Sequence, residues 1–340
     1  QSPAVVLQSI GGGGGYTTGG SSANFAAADH GGTTTASGAL NVSNSGAIVT
    51  SGDNSFGMLL QTIGGGGGVS GSDSGAVSLN NTNADSSSAD INFTNTGAIS
   101  TSGTGAHAVV AQTIAGGGGF VFGGVSKDNS ASLLGKPTGG SGDITIDNSG
   151  SITASGTNAV ALLFQNATGG AYLYQNPDGS VSAITEGFTD GTAPAGEVVV
   201  RNSGVIRATG QGGVGITKST SVISGNLRVE NAAGALIQGG DGGSAINLPT
   251  DRVERVINYG TIIGGSDGNS NAITGLGGPD EISNFGEISG DIILPGITRD
   301  IYNAPNARLE SQLVDANGNV TLIQRGVVNP NGEYRIGNLV

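Results

Sequence analysis

Ile91-Asn92-Phe93-Thr94-Asn95-Thr96-Gly97-Ala98-Ile99 is the stretch on which the fold turns, because it occurs again and again. Leu40-Asn41-Val42-Ser43-Asn44-Ser45-Gly46-Ala47-Ile48 has the same pattern, as do Ile144 to Ile152 around Asn148 and Gly150, and Val198 to Ile206 around Asn202 and Gly204. More worn copies centre on Asn231, on Asn258 with Gly260, and on Asn284 with Gly286, and a last trace lies near Asn303. From one Asn to the next the spacings are 51, 53, 54, 29, 27, 26 and 19 residues. Before each Asn, apolar and polar residues alternate, which is the period of a half-buried strand. The Gly two positions later is expected at a corner with positive φ. A second short strand begins at the following Ile and ends at Ser-Gly, Thr-Gly or Gly-Gly, and a third apolar stretch follows, such as Phe56 to Ile63. Three short strands with small-residue corners, repeated every 26 to 29 residues in the plain units, describe one coil of a parallel β-helix.

The expected architecture is therefore all-β: one right-handed parallel β-helix, or β-solenoid, with glycine-rich inserts. About eight to twelve coils at roughly 4.8 Å each would make a rod of about 40–60 Å. Residues 1–197 are expected to be coils thickened by inserts, 198–303 a plainer solenoid, and 304–340 worn terminal coils, a cap or a junction. Stacked coils place like residues above one another, so Asn44, Asn95, Asn148, Asn202, Asn258 and Asn284 can form a ladder of hydrogen-bonded amides. The rival reading is that Asn is simply a good turn residue.

The longer spacings arise from inserts that open with Gly11–Gly15, Gly64–Gly68 and Gly116–Gly119, and in decayed form with Gly169-Gly170. The strands before them, Ala4–Ile10, Gly57–Ile63, Ala108–Ile114 and Ala161–Gln165, are apolar at both parities, so both faces should be covered. Either each insert folds over the outer face of its own coil, or another copy packs there. For the second account, Val5, Leu7, Met58 and Leu60 are the candidate lateral contact face, and Leu60→Asp should then dissolve bundles of otherwise folded rods. The solenoid edge at Pro3–Ile10 has no polar cap before it, so coverage by preceding coils or by a neighbouring chain is expected.

Composition narrows the function. Only 11% of residues are charged, there are 66 Gly and no Cys, and the net charge is −13. Residues 1–200 carry −10 of this and contain no Arg. Such a chain repels phosphate backbones and anionic membrane surfaces, which excludes nucleic acid as a partner. A disulfide scaffold and a thiolate metal site are excluded too. No apolar run reaches the roughly 20 residues of a membrane helix. Gln1 reads as the start of an internal or processed fragment. The glycine runs are not followed by Gly-Lys-Ser/Thr and carry no phosphate-loop signature.

Chemistry-bearing residues are sparse. His30 and His107 are the only histidines, and His107 occupies a position where sister coils have Pro3, Phe56 and Val160. No triad or metal site can be assembled, and no cofactor is called for. Acids such as Asp53, Asp73, Asp85 and Asp128 stand singly. In Asp280-Glu281 the two side chains should point to opposite faces, while Asp143 and Asp147 share a parity on a solvated face. Gly275 to Ile282 resembles one turn of a calcium-binding nonapeptide repeat, but a single copy reads better as a corner.

The Gln-Ser/Thr-Ile segments at Gln8, Gln61 and Gln112, each leading into a glycine run and joined to Asn-x-Gly-x-Ile units, resemble the passenger region of large Gram-negative autotransporter adhesins. The resemblance covers most of residues 1–300. It implies display at the outer membrane through a C-terminal barrel outside these 340 residues, the only membrane link it implies, and partners that are copies of the chain itself, a host receptor or another surface. Two functions are expected in turn: a surface-displayed or secreted structural and adhesive protein, not an enzyme, or alternatively a polysaccharide hydrolase or lyase on a β-helix. An enzyme needs a singular cluster of ionisable groups in a groove, whereas the sequence offers repeated small polar residues.

Overall fold

The computed structural model describes residues 2–18, 22–24, 35–71, 76–78, 86–122, 139–186, 195–219, 225–248, 252–266, 270–275, 280–294, 299–304, 306–314, 320–324 and 334–336. Among them there is no helix. His30, Asp73, Asp85, Asp128 and residues 276–279 lie outside the described residues.

The chain is a parallel β-helix whose walls stack like on like. In the first wall, eight parallel strands run from Leu40–Asn44 through Ile91–Asn95, Ile144–Asn148 and Val198–Asn202 to Arg299–Asn303. In-register pairing sets Asn44 beside Asn95, Asn95 beside Asn148 and Asn148 beside Asn202. The second wall begins at Ala47–Thr50 and the third at Val5–Ile10 and Met58–Ile63; strand Arg308–Val314 pairs with both walls and joins them. Eight rungs at about 4.8 Å give a stack of about 38 Å. Inward residues of all three walls, among them Ile91, Phe93, Ile99, Leu60, Ile152, Phe164, Ile206 and Ile246, form one continuous buried core.

The asparagines are the spine of this stack. Asn44 Nδ2 donates to Asn95 Oδ1 at 2.8 Å, and the relay continues through Asn148, Asn202, Asn231, Asn258 and Asn284 to Asn303, with every link between 2.6 and 2.9 Å. Asn231 and Asn303 belong to the ladder as fully as the six positions expected from the sequence. From Asn95 onward each ladder residue is no more than 2% exposed.

The corner glycines obey a different constraint from the one expected. Gly97, Gly150, Gly204, Gly260 and Gly286 do not have positive φ. A Cβ on Gly97 would instead overlap the Gly46 carbonyl oxygen, one on Gly150 that of Gly97, one on Gly204 that of Gly150, and one on Gly286 that of Gly260. Close stacking of corners, not left-handed backbone, excludes a side chain there.

The inserts settle the question posed by the two-faced strands. Gly14–Thr18, Gly67–Gly71, Gly118–Phe122 and Gly170–Gln175 form a second parallel sheet, closed by antiparallel Val181–Glu186. Outward residues of the third wall, Leu59, Val110 and Leu163, pack with Val69, Phe120, Phe122 and Leu173 of that sheet, and Val6 packs against the same cluster. The lateral-contact assignment of Val5, Leu7, Met58 and Leu60 is therefore wrong. Met58 and Leu60 lie inside the solenoid core and Val5 and Leu7 pack against it. A strand apolar at both parities gives no periodic clue to which side is inward.

A glutamine ladder runs up the outward face of the third wall. Gln8, Gln61, Gln112 and Gln165 are linked amide to amide at 2.6 Å, and Gln112 Nε2 also donates to the Gly119 carbonyl at 2.9 Å. Within the insert sheet the rungs stack so closely that a Cβ on Gly68 or Gly119 would overlap a carbonyl of the preceding rung, and both have strongly positive φ, 138° and 143°. At the C-terminal end the edges of the walls are met by antiparallel strands: Tyr334–Ile336 on Arg299–Asn303, and Val320–Gln324 on Arg308–Val314.

Candidate functional site

Because the ladder and core occupy the inward positions, the outward positions of the first wall are free to vary. At the position before each Asn they read Ser43, Thr94, Asp147, Arg201, Glu230, Ile257, Ser283 and Tyr302; at the position after it, Ser45, Thr96, Ser149, Ser203, Ala232, Tyr259, Phe285 and Ala304. The polar-to-charged change along the first row and the small-to-aromatic change along the second meet at the middle rungs. There they outline a groove of about 470 Å³ that spans five rungs from Thr94 to Tyr259.

Its floor is ladder asparagine and small corner residues, Ser149, Ser203 and Ala232. Its flank is two ion pairs, Arg201 with Asp147 at 3.3 Å and Arg228 with Glu230. All four side chains are about one-third to one-half exposed. Its end wall is Tyr259, which is 52% exposed and stacks on Phe285 with centroids 4.8 Å apart and planes 11° from parallel. That separation equals the rung spacing, so the ring planes stand across the solenoid axis. Tyr302 leans on the far side of Phe285 at 5.6 Å. Ala232 contributes no ring on the near side, so one face of Tyr259 looks into the groove.

A second cluster lies inside the coil. Four positions before the ladder Asn, the inward row reads Leu40, Ile91, Ile144, Val198 and Leu227, and then Glu254 and Asp280. Lys218, paired with Phe164 in the third wall, replaces a core residue in the same way, and its Nζ donates to the Gly225 carbonyl. Lys218, Glu254 and Asp280 are each no more than 1% exposed. Burial pushes Lys218 down to about 8 against the opposing pull of the Glu254 carboxylate. Burial, reinforced by the Glu254 charge, pushes Asp280 up to about 8, so that it holds its proton at neutral pH. Sequence reading gave Asp280 and Glu281 opposite faces but missed the company Asp280 keeps. Aligning each unit on its Asn exposes the break from Leu227 to Glu254.

The remaining candidates resolve into structural contacts. His107 is fully buried beside Phe56, with centroids 4.9 Å apart, and its Nδ1 accepts the Val160 N–H at 3.0 Å. Burial lowers it to about 3, so the imidazole stays neutral. The scattered acids cap corners: Asp53 accepts the Thr104 N–H, Asp90 that of Asp143, and Asp143 that of Glu197. Glu281 faces out and pairs with Arg255 at 2.6 Å. Among the described residues no group of three or more His, Cys, Asp and Glu is placed to hold a metal ion, and no helix is long and apolar enough to cross a membrane. No protein family, characterised protein or solved structure matches the chain.

Proposed function

We propose that this chain is a structural and adhesive solenoid of a cell surface, acting through lateral contact along its flank. The observation carrying the reading is the distribution of ionisable groups. Among the described residues, the one unrepeated inward cluster, Lys218–Glu254–Asp280, is buried within the coil, whereas the outer flank presents a repeated relief of small polar residues, paired charges and rings. The amide ladders serve rigidity over length, which a rod displayed at a distance from its anchor requires. The resemblance to autotransporter passengers fits display outside a Gram-negative cell, with copies of the chain or another surface as partners.

The polysaccharide-enzyme alternative asks for one protonated and one ionised carboxyl group flanking a bound sugar. The groove does hold Asp147 and Glu230, but they are about one-half and one-third exposed and each is committed to an arginine. This favours binding over turnover.

The test is adhesion itself. Beads coated with the purified chain should clump or attach to a cell or glycan-coated surface, and uncoated beads should stay dispersed. Coated beads that neither clump nor attach to any surface refute the reading. Release of new reducing ends from a polysaccharide, abolished by Asp147→Asn or Glu230→Gln, would establish the enzyme instead.

A further inference from the structure

We infer that the groove ending at Tyr259 is a binding site for a neutral glycan, with one sugar ring stacked on the open face of Tyr259. This deepens the adhesive reading by naming the chemistry of the contact, and it rests on that reading.

Four features select this occupant. The first is the exposed aromatic face. Tyr259 is stacked on Phe285 behind it and Phe285 contacts Tyr302, and the step down to Ala232 leaves a slot beside the near face of the ring. Flat rings with an apolar C–H face fit such a slot, and little rotamer freedom is lost on binding because the ring is already held by its stack.

The second is charge. Asp147 neutralises Arg201 and Glu230 neutralises Arg228 within the groove, so the site attracts neither a polyanion nor a polycation. The chain as a whole, at −13, repels sulfated or carboxylated polymers. Paired guanidinium and carboxylate groups nevertheless offer fixed donors beside fixed acceptors. Hydroxyls, which donate and accept at once, match that alternation.

The third is backbone saturation. The first wall is hydrogen-bonded on both sides from rung to rung through the groove. An extended peptide docking by strand addition needs a free edge, and the groove lies on a sheet face. The fourth is size: about 470 Å³ falls within the roughly 300–1,000 Å³ of small-ligand sites and has room for the end of an oligosaccharide rather than a single ring.

The experiment uses the purified 340-residue chain and saturation-transfer NMR with calorimetry. The probes are cellotriose, xylotriose, mannotriose, galactotriose and isomaltotriose, with a heparin hexasaccharide and a proline-rich decapeptide as the competing classes. At least one neutral trisaccharide should bind saturably, with the strongest transfer to one terminal ring. Tyr259→Ala should weaken it tenfold or more. Ala232→Phe, which extends the aromatic stack into the slot, should abolish binding without loss of thermal stability. Val49→Ala, at an exposed site in the second wall, should leave it unchanged. Absence of saturable binding to every neutral trisaccharide, equal binding by Tyr259→Ala and Ala232→Phe, or binding of only the heparin fragment or the peptide overturns the inference. Bead adhesion that persists in both variants would sink the glycan site and leave the adhesive reading standing. Trisaccharide binding by beads that adhere to nothing would do the reverse.

Discussion

Replacing Asn148 by Asp isolates the contribution of the ladder, because it exchanges one amide nitrogen for oxygen and changes almost no volume. Asn148 Oδ1 accepts from Asn95 at 2.8 Å, and that bond survives. Its Nδ2 donates to Asn202 Oδ1 at 2.8 Å and to the Gly150 and Val205 carbonyls at 3.3 Å, and all three donations are lost. The new carboxylate would face three acceptor oxygens at a side chain only 1% exposed. A lost buried hydrogen bond costs about 1 kcal/mol, and an uncompensated buried charge about 3–5 kcal/mol. The expected loss at pH 7 is therefore about 4–6 kcal/mol relative to the native chain. At pH 4 the carboxyl, raised by burial, takes up a proton, and its O–H can donate to Asn202, so the loss should shrink to about 1–2 kcal/mol. Asn92→Asp is the matched control: Asn92 Nδ2 donates to Asn41 at 3.0 Å in an exposed row, where a surface substitution costs about 0.5 kcal/mol or less. Guanidinium unfolding followed by far-UV circular dichroism, for native chain and both variants at the two pH values, gives the comparison. Equal destabilisation by the two variants at pH 7, or a greater deficit of Asn148→Asp at pH 4 than at pH 7, would refute the buried amide relay.

Other consequences can be measured on the same material. His107 is neutral when folded, with its pKa at about 3 instead of the usual 6.5, so the unfolded chain binds a proton first as pH falls. Stability should then decline by up to about 1.4 kcal/mol per unit between pH 6.5 and 3, and His107→Phe, which copies Phe56 of the neighbouring rung, should flatten that slope in thermal melts. Asp280 has the opposite sign: its folded pKa is raised to about 8, so its contribution is present in acid and lost as pH rises from about 4 toward 8. Asp280→Asn should thus gain more in melting temperature at pH 8 than at pH 5. Leu60→Asp, with its side chain in the core, should unfold the rungs around it, while Leu59→Asp should loosen the insert sheet and expose the Gly67–Gly71 region to protease with the first wall still ordered. Gly97→Ala, whose methyl would overlap the Gly46 carbonyl, should cost about 1–3 kcal/mol by overpacking.

The repeat was legible because a solenoid writes its geometry into the sequence at fixed intervals. Asn, the alternation before it and the Gly after it recur since each must stack on its own kind, and the Asn-to-Asn spacings of 51, 53, 54, 29, 27, 26 and 19 are the sequence separations of the hydrogen bonds observed. Two things stayed hidden. The direction of the third wall could not be read, because covering by the insert sheet makes Leu59 as apolar as Leu60. The glutamine ladder was also missed, although Gln8, Gln61, Gln112 and Gln165 recur as faithfully as the asparagines, because Gln is common enough outside ladders to pass for a surface residue. The groove had a weaker trace still. Tyr259 and Phe285 stand where earlier units have Ser or Thr, and only a column-by-column alignment turns that into a step from small to aromatic.

That step indicates how a fold so constrained can bear a specific site. Inward residues are held by the core, corner glycines by the carbonyls above and below them, and ladder amides by both neighbours, so substitution at any of these disturbs two interfaces at once. The positions just before and after each Asn touch mainly the like positions of adjacent rungs and solvent. Changing Ser to Tyr at residue 259 or Thr to Arg at residue 201 therefore alters relief and charge with little effect on the stack. A groove can form wherever a run of small corners meets a bulky one, and its length is set by how many rungs separate the change. Here the charged run of one row ends where the aromatic run of the other begins, so paired charges and an open aromatic face converge on one five-rung stretch. The specificity of such a surface lies in the columns that depart from the repeat, and among the described aromatic residues the most exposed such departure is Tyr259.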